Sequence, residues 1–224
     1  MTIKEMHELF RLLGQQMGME RIRVILPDSI DGYLNDAIAE ITNNIIRSNV
    51  QGQYREKYII SDNFVSPVNG ISTLYSEIVR ESNYEKENGI TSISIPIQNC
   101  LYLYAFSVKY SDNRYRNCRI IEPDKLEQSL DDYLNRPTAR YPIVHIVSFT
   151  GEQTCRVEVY SGKGDIKGIK VKYIRKPAIV SFNETTQNGI DCDLPAHLHK
   201  DIVELAVTKF FNSVGSTSHN VNKQ

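Results

Sequence analysis

Tryptophan is absent from the 224 residues, and the formal charge is only −1. A balance so near zero argues against a protein whose main task is to hold nucleic acid through its phosphates. No apolar run approaches the ~20 residues that cross a bilayer. The opening stretch MTIKEMHELFRLLGQQMG is periodic, carries Glu5 and Glu8, and lacks a small-residue cleavage site, so it does not read as a signal peptide. These absences predict a protein made and used in a cytoplasm, or in a particle assembled there, with no membrane partner. Cysteine is sparse: Cys100, Cys118, Cys155 and Cys192 contain no CxxC pair, which removes the zinc-ribbon and redox signatures. Free thiols are predicted, with Cys100 as a small core residue.

What is present suffices for a core. The hydrophobic fraction is 41% and the charged fraction 24%, and a compact chain of this length buries roughly 70–75% of its unfolded surface without staples. The charge is unevenly spread. Residues 1–89 carry 9 Lys/Arg against 13 Asp/Glu, whereas residues 90–190 carry 14 against 10. Such asymmetry suits subunits that stack on oppositely charged neighbours; plain surface decoration gives the same numbers.

The first third, 1–89, reads as helical. Ile3, Met6, Leu9, Phe10, Leu13 and Met17 recur at helical spacing, with Gly18 as a stop. Pro27 and Asp28 open a second helix, Asp28 as cap and Asp31 at the positive end of the dipole. Its stripe is Ile30, Leu34, Ala37, Ile38, Ile41 and Ile45. Residues 71–82 read as a third, shorter helix. From 90 to 182 the texture becomes that of a β-rich module. TSISIPI alternates at period two, and LYLYAFSVKY, RYRNCRII, YPIVHIVSF, QTCRVEVYSG and GIKVKYIRKP follow as strands at hairpin spacing. One helix is inserted in EPDKLEQSLDDYLNR, with Leu126, Leu130, Tyr133 and Leu134 on a face. Residues 183–211 read as a loop and a final helix with the stripe Leu198, Ile202, Leu205, Ala206 and Phe210, capped by Asp193. The ending, 212–224, is polar and aperiodic, hence flexible when alone in water. The expected class is α+β: N-terminal and C-terminal helices form a bundle, and an antiparallel β-rich module is inserted between them.

The search for chemistry finds no catalytic, cofactor or metal constellation. Asp191, Cys192, Asp193, His197 and His199 are ligand types close in sequence. On a helix, however, His197 and His199 point about 200° apart, so the structural reading is favoured over metal. His145 sits in an alternating strand with Ile143, Val147 and Phe149 and has no nucleophile motif beside it. His7 lies in a helix and His219 in the polar ending. SGKGDIKG lacks the GxxxxGK[ST] spacing and reads as a glycine-rich hairpin turn. Asp131 and Asp132 are neighbours about 100° apart on a helix and do not pair. Lys170, Lys172 and Lys176 share one strand face, which reads as solvated or edge-protecting before it reads as a DNA contact.

The stretch YIRKPAIVSFN…DCDLPAHLHKDIVELAV resembles the C-terminal part of small virion structural proteins of crAss-like short-tailed phages. The matching residues are Tyr173, Ile174, Arg175, Lys176, Pro177, Cys192, Leu194, Pro195, His197, Ile202, Val203 and Ala206. The resemblance implies a ring or adaptor protein of the head-to-tail connector, a twelve-fold homo-oligomer below the portal. It implies the portal protein and other tail rings as partners, passive contact with DNA in the channel, and a place at the tail vertex of the virion. It supplies no catalytic residue and leaves His197 and His199 unassigned. The expected function is therefore structural and not enzymatic. The alternatives are a tail terminator or stopper of the same tail, and a small metal-dependent enzyme using Asp191, Cys192, His197 and His199.

Overall fold

The computed structural model describes residues 1–17, 25–55, 69–82, 84, 87, 89–97, 99–150, 154–162 and 165–221, with backbone alone at 48–55, 69–70, 150 and 215–221. The fold is mixed α+β and divides into two compact units. Residues 1–74 and 177–224 form a helical unit, and residues 75–176 form a β unit.

In the helical unit, α1 (Ile3–Gln16) opens with a capping box. The Glu5 N–H donates to Thr2 Oγ1 at 3.3 Å and the Thr2 N–H to Glu5 Oε2 at 2.9 Å, so two orphan donors of the first turn are satisfied. Ile3, Met6, His7, Phe10 and Gly14 form its buried face. Met17, expected on that face, is exposed, and the stop expected at Gly18 lies outside the described residues. In α2 (Pro27–Arg55), Ile30, Leu34, Ala37 and Ile38 are buried as the spacing predicts. Asp28 is not the cap. The Leu26 carbonyl takes the Ser29 and Ile30 N–H groups, so Asp28 already lies inside the first turn and acts only through the dipole.

The last helix, α4 (His199–Val221), buries Ile202, Val203, Ala206 and Val207. The isoleucine and the two valines each contribute about 1.5–3 kcal/mol on leaving water. The Phe210 ring lies 5.9 Å from Phe10 of α1 and 5.3 Å from Tyr33 of α2, joining the three helices. Helix α4 continues through Val221, which corrects the aperiodic ending expected from residue 212: the helix propagates from its packed first half into a segment of weak propensity. A small hairpin, β8 (Ser181–Asn183) and β9 (Asn188–Ile190), completes the unit. Gly189 fits where no larger residue would, because a Cβ there would meet Ser181 O at 2.2 Å and Ile3 Cγ2 at 2.8 Å. Asp193, expected to cap the last helix, instead accepts the Ala178 N–H at 3.2 Å.

The β unit contains β1 (Tyr75–Glu81), β2 (Ile90–Pro96), β3 (Cys100–Tyr110), β4 (Tyr115–Ile121), β5 (Ile143–Thr150), β6 (Thr154–Tyr160) and β7 (Ile166–Arg175). The sheet order is β1-β7-β3-β4-β5-β6-β2, antiparallel throughout except for the parallel pair β4–β5. The third helix expected at 71–82 does not form. A 3-10 segment (Asn69–Leu74) leads into β1, where Ile78 packs on the core and its neighbours face outward, the period-two pattern of an edge strand. The boundary expected at 89/90 thus falls at 74/75, and the one expected at 182/183 falls at 176/177.

Strands β1 and β2 are consecutive in sequence yet occupy opposite edges. The Tyr84 N–H still reaches Ile166 O beside β7, while Glu87 exchanges backbone bonds with Ile90 at the start of β2. Three residue steps span at most about 11 Å, so the sheet must curl until its two edges approach at this end. The concave face is packed solid by Ile93, Ile95, Phe106, Val144, Val157, Val171 and their neighbours from β2, β3, β5, β6 and β7. Strands β6 and β7 do not pair, so SGKGDIKG is a crossing between separated strands and not the expected hairpin turn. The inserted helix α3 (Leu126–Asp131) is shorter than expected. Leu126 and Leu130 pack on Ile121, Ile143 and Tyr160, while Tyr133 and Leu134 lie beyond its end.

Candidate interaction surfaces

The ligand-type residues near the C-terminus are drawn to separate tasks. Asp191 Oδ1 accepts the Ile3 N–H at 2.6 Å, tying the hairpin's exit to the start of α1. The buried His199 ring donates through Nε2 to Leu194 O at 2.8 Å. Cys192 is buried, and that burial pushes its thiol up; His197 is exposed. Among the described residues no group of three or more His, Cys, Asp or Glu side chains is arranged to hold a metal ion.

On β5, His145 Nδ1 stands 3.8 Å from Glu158 Oε2, which takes the Tyr160 hydroxyl hydrogen at 2.9 Å. Burial, reinforced by Glu158, pushes the Tyr160 phenol up to about 12. The lysine face of β7 is compensated across the ladder. Glu77 of β1 stands 3.1 Å from Lys170 and 4.0 Å from Lys172, and the Lys170 ammonium lies 4.8 Å over the Tyr115 ring. The side chain of His219 lies outside the described ones.

Two features carried no sequence motif. The first is a buried node in the helical unit. His7 Nε2 donates to Asp31 Oδ1 at 2.7 Å, and Asp31 Oδ2 accepts the Phe182 N–H at 2.9 Å, so one carboxylate joins α1, α2 and β8. Beside it opens a cavity of about 510 Å³ lined by Asp28, Asp31, Phe182, Asn183, Glu184 and Asn188, among others. Asp28 is exposed, and Glu184 meets Arg11.

The second feature is the exposed tip of the β unit, residues 132–141. Tyr133, Leu134 and Tyr141 are 76%, 87% and 66% exposed, yet the backbone beneath them is fixed. Asp132 Oδ1 accepts the Leu134 N–H at 2.9 Å, and Asp132 O accepts from Asn135 and Arg136. Arg119 donates to Asn135 Oδ1 and O, Arg116 donates to Ala139 O, and Thr138 and Tyr141 exchange both backbone bonds. Gly162, at φ +63, runs beneath; a Cβ there would come 3.3 Å from Pro137 O. Arg136 stacks on Tyr133 at 4.9 Å and Arg140 on Tyr141 at 5.5 Å. Tyr133 and Leu134 share helical spacing with Leu126 and Leu130, which hid this tip in the sequence. The overlooked signal is Asn135-Arg136-Pro137, a turn sequence that stops a helix.

The units differ in sign. Counted over the full sequence, the helical unit carries 10 Lys/Arg and 14 Asp/Glu, and the β unit 16 and 13, giving −4 and +3.

Burial in the β unit favours the neutral form of three thiols and of Tyr110. Burial pushes the Cys118 thiol up to about 12, the Cys100 and Cys155 thiols to about 11, and the Tyr110 phenol to about 12. Each folded value lies above its unfolded one, so these groups' stabilising contribution is complete below about pH 9. It is lost as pH rises through 11–12, because the native state then binds more protons than the unfolded one. The urea midpoint is expected to fall steadily from pH 9 to 11; a flat midpoint over that window would contradict this burial. No protein-family model matches the chain, and no curated protein matches it.

Proposed function

We propose that this chain is a structural subunit of a phage head-to-tail connector, acting by assembly and not by catalysis. Copies associate into a ring below the portal, extend the DNA channel and present a platform to the next tail component, so the protein resides at the tail vertex of the virion. The observation that carries this reading is the division into an acidic helical unit and a basic β unit. A chain of two oppositely charged units is suited to head-to-tail packing of like copies, the heterologous contact that closes into rings. The resemblance of the segment from Tyr173 to Ala206 to virion ring proteins supports the same assignment.

Light scattering coupled to size-exclusion chromatography, with particle images of the purified full chain, tests it. The expected result is a closed cyclic assembly, alone or on addition of the portal protein. A chain that remains monomeric in both conditions would end the proposal.

A further inference from the structure

We infer that the tip at residues 132–141 is the element by which one copy docks onto the acidic cavity of the helical unit in the next copy. The inference rests on the ring reading above and names its contact.

The tip has the composition of an interface anchor, with two tyrosines, two arginines and a leucine within nine residues. Left in water, Leu134 and Tyr133 would expose apolar area for no gain. They are held out on a backbone that Asp132, Arg119, Arg116 and the Thr138–Tyr141 pair keep in one shape. Ordering entropy is therefore lost at folding and not at binding. Each arginine is stacked on its tyrosine, which fixes the guanidinium plane. Among the described residues neither arginine has an ion-pair partner, so the tip presents two oriented, uncompensated cations beside apolar surface.

Its occupant must therefore offer carboxylates around a recess. The helical unit of a second copy does so. The cavity of about 510 Å³ is lined by Asp28, Asp31 and Glu184, with Phe182 as apolar wall. Asp31 is already committed to His7 and the Phe182 N–H, which leaves Asp28 and Glu184 at the rim to meet the arginines. Glu184 would then exchange or share Arg11, an exposed pairing that holds it only weakly. The contact is heterologous, tip of one copy to cavity of the next, and such a contact repeats from copy to copy and closes into a ring where the rotation between copies divides a full turn.

The test is a charge-swap cycle on the full-length chain, read by light scattering and particle images. One variant carries Arg136→Glu with Arg140→Glu, a second carries Asp28→Lys with Glu184→Lys, and a third carries all four. The first two place like charges together and should raise the concentration for half-assembly on the order of 100-fold. The third restores complementarity and should recover assembly, as should an equimolar mixture of the first two. Tyr133→Ser with Leu134→Ser should weaken assembly without rescue by the cavity variant. All these side chains are exposed, so an unchanged circular dichroism spectrum and a retained cooperative urea transition serve as the folding control; the cavity variant's midpoint should fall slightly, because it loses the Arg11 pair and the acidic charge at the start of α2.

If the native chain forms rings and the tip variant forms them equally well, this contact is wrong while the ring reading stands. The contact is equally overturned if both double variants fail and the fourfold variant does not recover. A native chain that never assembles removes the ring reading and this contact together.

Discussion

Replacing Asp31 with alanine is expected to destabilise the helical unit by about 2–6 kcal/mol. The carboxylate has two buried clients, the His7 Nε2 at 2.7 Å and the Phe182 N–H at 2.9 Å. Alanine leaves both unsatisfied, and each orphaned buried group costs about 1–3 kcal/mol. The burden at His7 is already high, since its Nδ1 is buried without a hydrogen-bond partner among the described residues and its ring packs edge-on against Phe182 at 5.1 Å. Asparagine keeps an acceptor for the Phe182 N–H, so Asp31→Asn should cost less than Asp31→Ala. Urea unfolding measures both. A loss below about 0.5 kcal/mol for Asp31→Ala, the size of an ordinary surface substitution, would mean the node is decorative. Hydrogen exchange should show loosening in α1, α2 and the β8–β9 hairpin, the three elements the carboxylate joins.

Phe106→Ala should cost about 3–5 kcal/mol, the range for emptying a fully packed aromatic site. Phe106 is 1% exposed and sits at the middle of the curl, opposite Cys118 on β4 and Val171 on β7. It belongs to one core cluster built from five strands, and a densely packed core relaxes poorly into a void. The loss is a large share of the 5–15 kcal/mol that holds typical domains together. Exchange protection should drop first in β3, β4 and β7. If the midpoint in urea moves by less than ~1 kcal/mol equivalent, the concave face is looser than its burial implies.

The helix–strand–helix order and most core positions were legible because both periods are strongly written in the chain. Ile30, Leu34, Ala37 and Ile38 keep helical spacing, and the six strands from β2 to β7 follow runs rich in β-branched and aromatic residues. Failures occurred where one pattern satisfies two periods. Ile71, Leu74 and Ile78 fit a helical stripe as well as a 3-10 segment followed by an edge strand, and only pairing with β7 decides. Strand order was illegible in principle, since alternation reveals a face and not a neighbour. That is why SGKGDIKG reads as a hairpin turn although β6 and β7 lie apart. The His7–Asp31 node and the acidic cavity are brought together by tertiary packing alone; Asp31 and Phe182 are 151 residues apart.

Insertion of the β unit into the helical one has a consequence for synthesis. Helices α1 and α2 leave the ribosome with their apolar stripes bare, because the residues that cover them, Ile202 to Phe210, are translated roughly 160–200 positions later. At 5–20 residues per second that delay is roughly 10–40 s. The β unit lies wholly within the interval and can complete its own core first. The N-terminal helices would then await the last one as a half-built layer, open to capture by a chaperone or by the same segment of a neighbouring nascent chain.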